Sequence, residues 1–152
     1  MKSIIDLTYF KPDDNFEWED YVKLSNKITS IDQSNINNEL EIHSAIYSYY
    51  AGILHKIKRE LDLQQCTLDK LGADIRSTFF AQYKVLNGAK PTEKIIESEV
   101  IRNSDVQNLK KVIIDLEYKY NLFKGLSYGL EHRKDCLIQL SSNKRAEIKL
   151  YD

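Results

Sequence analysis

Glycine, proline and cysteine are scarce in this sequence, and each shortage argues against a class of protein. The 152 residues include 5 Gly and 2 Pro, which is too few for the many tight turns of a β-sandwich or β-barrel. Cys66 and Cys136 lie far apart, with no second cysteine near either. Neither a disulfide framework nor a zinc site is therefore expected. The composition favours an all-α protein with long helices.

The sequence also has no long apolar run and no large net charge. No apolar stretch approaches the ~18 residues that span a bilayer, and the first residues turn acidic before a signal-peptide core could form. We therefore expect no membrane contact and a cytoplasmic location. With 22 basic and 23 acidic residues, the whole-chain charge predicts no nucleic-acid binding, so any polyanion site needs local clustering.

Hydrophobic periodicity predicts one short and two long helices. Residues 1 to 30 form an acidic N-terminal segment that ends in a short helix. Residues 36 to 86 contain no proline and repeat apolar side chains every seven positions, which indicates a long helix. A second long helix is predicted over residues 92 to 150. The expected architecture is all-α, an elongated helical hairpin that forms a single domain over residues 1 to 152.

Short local signals set the expected ends of these helices. Asp13 and Asp14 can cap the first helix, and Thr92 can cap the last one. Asn87-Gly88 supplies a turn between the two long helices. Gly52 and Gly72 each weaken the first long helix by ~1 kcal/mol relative to alanine, so the sequence leaves open whether this helix is continuous.

The seven-residue repeat also predicts which side chains face the core. In the first long helix one row contains Leu40, Tyr47, Leu54, Leu61, Leu68 and Ile75, and a companion row contains Tyr50, Ile57, Gln64, Leu71 and Thr78. In the second long helix the rows contain Leu109, Leu116, Phe123, Leu130 and Leu137, with Val106, Ile113 and Tyr120. These rows predict that the two helices pack along an a/d seam.

The seam moves to another side of the helix near Phe123, where Leu126 and later Leu140 join it. A moved seam indicates a change of packing partner. Since no helix is left over, the natural partner is a second copy of the chain. The predicted oligomerisation residues are Leu126, Leu130, Leu137, Ile138 and Leu140.

Residues for catalysis are not arranged in any recognisable motif. His43, His55 and His132 are the only histidines, and the first two point about 120° apart on a helix. No HExxH, GxGxxG, GxxxxGK[ST] or GxSxG sequence occurs. We therefore expect a protein that is not an enzyme and uses no metal or cofactor. A small metal-dependent nuclease that uses the carboxylates between Asp13 and Asp20 is a distant alternative.

Aromatic residues mixed with basic ones give a stronger lead. The chain has 10 Tyr and 5 Phe, and several lie just before the predicted turn among lysines and arginines. Bases stack on aromatic rings and phosphates pair with cations, which is what single-stranded nucleic acid requires. Rings at helical spacing also serve as core residues. The predicted DNA-binding residues are Lys70, Arg76, Phe80, Tyr83, Lys84 and Lys90.

A second group of basic residues, Lys124, Arg133 and Lys134, forms either a phosphate-facing stripe or a solvated face.

Two stretches of the chain resemble a known family. The segment IDQSNINNELEIHSAIYSYY, from Ile31 to Tyr50, resembles the start of the amino-terminal helix in UvsY-type recombination mediators of tailed phages. The second stretch includes Tyr83, Asn87-Gly88, Pro91-Thr92-Glu93, Asn103-Ser104-Asp105, Leu116-Glu117-Tyr118, Arg133 and Arg145. Family members carry a Lys-x-Arg pair on the helix before the hairpin, and that pair is absent here.

The resemblance implies an all-helical protein that binds single-stranded DNA and assembles into a homo-oligomeric ring through its carboxy-terminal helix. Such a protein helps to load a RecA-like recombinase onto DNA that single-strand-binding protein already covers, without a nucleotide or metal of its own. An oligomeric helical scaffold or virion-assembly protein that contacts only protein is the alternative. It explains the seven-residue repeats and the near-neutral charge equally well.

Overall fold

The computed structural model describes residues 18 to 151, and the fold is all-α as the sequence predicts. Of these residues 93% are helical, and the described part of the chain contains no strand. The helices are α1 (Trp18–Thr29), α2 (Ile36–Asn87), α3 (Glu93–Arg102) and α4 (Ser104–Tyr151), with a 3-10 turn at Gln33–Asn35 before α2. The predicted cap at Asp13 and Asp14 lies outside the described residues.

The first long helix is continuous through both of its glycines. α2 runs over 52 residues, and a Cβ atom added at Gly52 or Gly72 would meet no described atom within 4 Å. Neither glycine is therefore required by a close contact. The helix ends at the predicted turn, where Gly88 has a φ of 65° and its N–H donates to the carbonyl of Lys84 at 3.1 Å. This left-handed conformation favours glycine at the helix end.

The prediction of one helix over residues 92 to 150 is wrong, because the helix is interrupted at Asn103. Asn103 has an extended backbone with a ψ of 126°, and its side-chain oxygen accepts the N–H groups of Asp105 at 2.9 Å and Val106 at 3.2 Å. An asparagine that bonds to the backbone in this way competes with helix continuation and starts α4. Thr92 precedes α3, but its side chain makes no capping hydrogen bond in the part of the chain that is described.

The chain divides into two compact units. The first contains His55 and the described residues before it together with Asn121 and the described residues after it, and the second contains Lys56–Tyr120. α1 therefore belongs to the first unit and α3 to the second, while α2 and α4 contribute to both. The expectation of a single helical domain stays a prediction.

The α2 residues that pack into the core are partly those that the repeat predicts. Tyr50 and Ile57 of the companion row are buried. In the other row, however, Tyr47 is 37% exposed and Leu54 is only half-buried. The buried residue lies one position earlier in each case, at Ile46 and Ile53. From Leu61 onward the predicted row is half-buried, so the register of the repeat differs along the helix. The predicted rows of α4 are buried or half-buried throughout.

α1 approaches α4 closely at two glycines, next to the start of the moved seam. A Cβ atom at Gly125 would lie 3.2 Å from Oη of Tyr21, and one at Gly129 would lie 3.2 Å from Cγ2 of Thr29. Glycines on α4 therefore allow a close approach of α1. The reasoning that no helix remains to pack against this part of α4 is wrong.

Most of the predicted oligomerisation residues are already buried in the single chain. Leu126, Leu130 and Leu137 are 1%, 0% and 0% exposed, so their burial needs no second copy. Ile138 is 52% exposed and Leu140 is half-buried. Assembly through these residues stays a prediction, and it now depends on the last two. Between residues 18 and 151, no helix combines the length and the apolar character that crossing a membrane requires.

Candidate nucleic-acid interface

Three side chains near the end of α2 alternate cation, aromatic ring and cation. Arg76, Phe80 and Lys84 lie at four-residue spacing, so each is ~6 Å further along the helix than the last and about 40° further around it. All three are exposed, and Phe80 remains 37% exposed despite its size. We call these three residues the α2 row. A ring between two cations can stack on a base while its neighbours pair with phosphates.

The other predicted DNA-binding residues lie outside this row. Tyr83 is half-buried and contacts Phe79, with the ring centroids 5.7 Å apart, so its ring is partly engaged in packing. Lys70 is exposed, but it precedes Arg76 by six positions and therefore lies about 120° around the helix from it. Lys90 is exposed in the turn between α2 and α3.

Arg76 already has a partner of opposite charge. Its guanidinium donates to the carboxylate of Glu93, the first residue of α3. The two side chains are 44% and 68% exposed. An ion pair in contact with water stabilises a protein by about 0 to 1 kcal/mol. Arg76 can therefore exchange this carboxylate for another anion at small cost.

A buried polar cluster joins three helical segments in the first unit. Arg133 of α4 is only 4% exposed and donates from Nε to the carbonyl of Ser30 at 3.3 Å. Its Nη1 lies 3.0 Å from Nδ1 of His43, and its Nη2 donates to the carboxylate of Glu39. The end of α1 and the first turns of α2 are thereby tied to α4. Both interpretations of Lys124, Arg133 and Lys134, a phosphate-facing stripe and a solvated face, are wrong for Arg133, because its charge is buried and paired.

The cluster also fixes the protonation state of His43. A guanidinium only donates hydrogen bonds, so Nδ1 of His43 must accept and the ring proton lies on Nε2. Burial, together with the positive charges of Arg133 and Lys134, lowers the pKa of His43 from its ordinary value of 6.5. The neutral imidazole is therefore the form that the folded state favours.

The lowered pKa of His43 predicts a protein that is less stable in acid. The contribution of the neutral ring is fully present above pH 6.5, it is lost as the pH falls below this value, and the loss ends below the pKa of the folded state. We expect His43→Gln, whose amide oxygen can accept from Arg133, to reduce the fall in stability between pH 7.5 and pH 5. Urea unfolding followed by circular dichroism measures this, with exposed His55→Gln as the control. Equal pH dependence in both variants would contradict the prediction.

A cleft of about 340 Å³ lies beside the cluster, and its lining includes Tyr47, Glu131 and Lys134. The Tyr47 hydroxyl donates to Glu131 at 3.4 Å. No group of three or more histidine, cysteine, aspartate or glutamate side chains that could hold a metal ion occurs among residues 18 to 151. Asp13, Asp14 and Glu17, which the nuclease alternative requires, lie outside the described range.

Comparison with known proteins identifies no relative, since no family model, curated protein or solved structure matches this chain. Its function is therefore inferred from the positions of its own residues. The resemblance to UvsY-type mediators stays a prediction.

Proposed function

We propose that this protein is a single-stranded-DNA-binding recombination mediator without catalytic activity or a cofactor of its own. In this role it helps to load a RecA-like recombinase onto DNA covered by single-strand-binding protein. The observation that carries the DNA-binding proposal is the α2 row, in which the exposed ring of Phe80 stands between Arg76 and Lys84. Single-stranded DNA offers unpaired bases for stacking and phosphates for pairing, and this row can engage both. The recombinase and the single-strand-binding protein are proposed from the resemblance to UvsY-type mediators.

Tight binding in this proposal comes from assembly. One subunit presents few cations in the row, and the formal net charge of the chain is −1, so a single subunit would hold DNA weakly. A homo-oligomer, and a ring in particular, would repeat the row and raise the avidity by orders of magnitude. Ile138, in the C-terminal half of α4, is the exposed apolar residue that we propose for the subunit contact.

The proposal is tested by the fluorescence anisotropy of a labelled single-stranded oligonucleotide, with a duplex of the same length as the control. We expect the protein to prefer the single strand and to bind it more weakly as salt rises from 50 to 200 mM, because bound cations release counterions from the phosphates. Absence of binding at 50 mM salt by an assembled sample would reject the DNA-binding function.

A scaffold that contacts only protein is the second candidate. Val85 and Leu86 at the end of α2 are 83% and 81% exposed, and neighbouring exposed apolar side chains are typical of protein contacts. This candidate predicts an assembled protein that ignores both single-stranded and duplex DNA. The anisotropy assay therefore separates the two candidates, provided that the mass of the same sample shows it to be assembled.

A further inference from the structure

We propose that Glu93 competes with DNA phosphates for Arg76, and thereby sets the affinity and the salt dependence of the α2 row. This inference rests on the proposed DNA-binding function. The two residues belong to different helices, so their contact depends on how the chain turns between α2 and α3. Glu93 is thus a residue of the interface that lies outside the row itself.

The backbone of Glu93 has a fixed position, whereas its side chain is exposed and can separate from Arg76. Pro91 is buried, and the carbonyl of Thr92 accepts the N–H groups of Ile95 at 3.0 Å and Ile96 at 3.2 Å. Ile96, one turn into α3, is 7% exposed. The start of α3 therefore presents the Glu93 carboxylate from a fixed position, although 68% of the side chain is exposed.

A carboxylate and a phosphate are alternative acceptors for one guanidinium. Both match the planar fork of arginine and can form two parallel hydrogen bonds with it. A phosphate that approaches Arg76 must replace Glu93, and the displaced carboxylate still repels the DNA from nearby. Since the ion pair is exposed, the exchange is possible, but each bound subunit loses part of the attraction that Arg76 would otherwise supply.

The first experiment compares Glu93→Gln with Glu97→Gln by the same anisotropy assay. Glu97 lies one turn further along α3, is exposed, and forms no ion pair among the residues that the structure covers. Both variants remove one negative charge, so their difference isolates the contact with Arg76. We expect Glu93→Gln to bind single-stranded DNA about 3- to 5-fold more tightly and with a steeper salt slope, by at most about 0.7 for the one arginine released. Glu97→Gln should stay within about twofold of the parent protein.

A double-mutant cycle with Arg76→Gln completes the test. In the Arg76→Gln background, Glu93→Gln should change the affinity by no more than about twofold, as Glu97→Gln does, because only general repulsion remains once the competition has been removed. Equal tightening in both backgrounds would mean that Glu93 acts by general repulsion, and weaker binding by Glu93→Gln would mean that it positions Arg76. Either result overturns the proposal. No binding by any variant would also reject the DNA-binding function, whereas salt-sensitive binding that Glu93→Gln leaves unchanged would reject the role of Glu93 alone.

Discussion

Replacing Arg133 by methionine should lower the free energy of unfolding by about 3 to 5 kcal/mol, which is the range for breaking a buried ion pair from one side. The Glu39 side chain is only 14% exposed, so its carboxylate would remain largely out of water without its cation. His43 and the carbonyl of Ser30 would lose the same donor. The loss therefore combines an unpaired charge with two unsatisfied acceptors.

Urea unfolding followed by circular dichroism measures this change. Arg145→Met is a matched control, because Arg145 lies on the same helix but is exposed and bonds only within its own turn. We expect it to change the stability by less than about 0.5 kcal/mol. The double variant Arg133→Met with Glu39→Met should recover much of the lost stability, since apolar residues often replace a buried pair without loss. A fall of less than about 1 kcal/mol for Arg133→Met alone would contradict the prediction.

The extent of the helices is predictable because its signals are local. The absence of proline after Ile36 and the Asn87-Gly88 turn place α2 within one residue of its observed ends. The interruption at Asn103 is not predictable from the seven-residue repeat. No glycine or proline lies there either to indicate the end of a helix. The interruption depends on a side-chain hydrogen bond, for which the Asn-Ser-Asp sequence is the local signal.

The packing partners are harder to predict than the helices. The repeat in α4 correctly indicates a moved seam after Phe123, but periodicity does not identify which helix is the partner. Tyr21 and Thr29 of α1 contact the glycine side of α4, and this approach depends on the chain reversal between α1 and α2. The same limit explains the register error in α2, where Ile46 rather than Tyr47 is buried.

The α2 row and the buried cluster around Arg133 differ in how well they can be predicted from the sequence. The α2 row follows from four-residue spacing on one helix, and its members are among the predicted DNA-binding residues. Arg133 could have been found as a core position, because it follows Leu126 by seven residues and precedes Leu140 by seven. Its charge instead suggests a solvated face. The pairing of Arg76 with Glu93 carries no sequence signal, since it depends on the turn between two helices.

Removing the α2 row should weaken the binding of single-stranded DNA by about 100-fold or more. Phe80→Leu keeps an exposed apolar side chain but removes the ring, and the loss of one stacked base corresponds to about 1 to 3 kcal/mol, or roughly 5- to 150-fold. Lys84→Gln removes one phosphate contact and should reduce the salt slope by about 0.7. Arg76→Gln should reduce it by less, because Glu93 already competes for this guanidinium. The triple variant therefore loses both the stacking and the salt-dependent parts of the affinity.

A second triple variant on α4 controls for the change in charge and aromatic content. Tyr118 is 48% exposed, and Lys110 and Lys111 are exposed about two turns before it. Tyr118→Leu with Lys110→Gln and Lys111→Gln removes the same number of rings and cations from the same compact unit. If the row is the binding surface, this control should retain affinity within a few-fold and most of the salt slope, because only general attraction is reduced. Equal losses in the two triple variants would mean that DNA responds to the charge of the whole unit, and the α2 row would then not be its binding site.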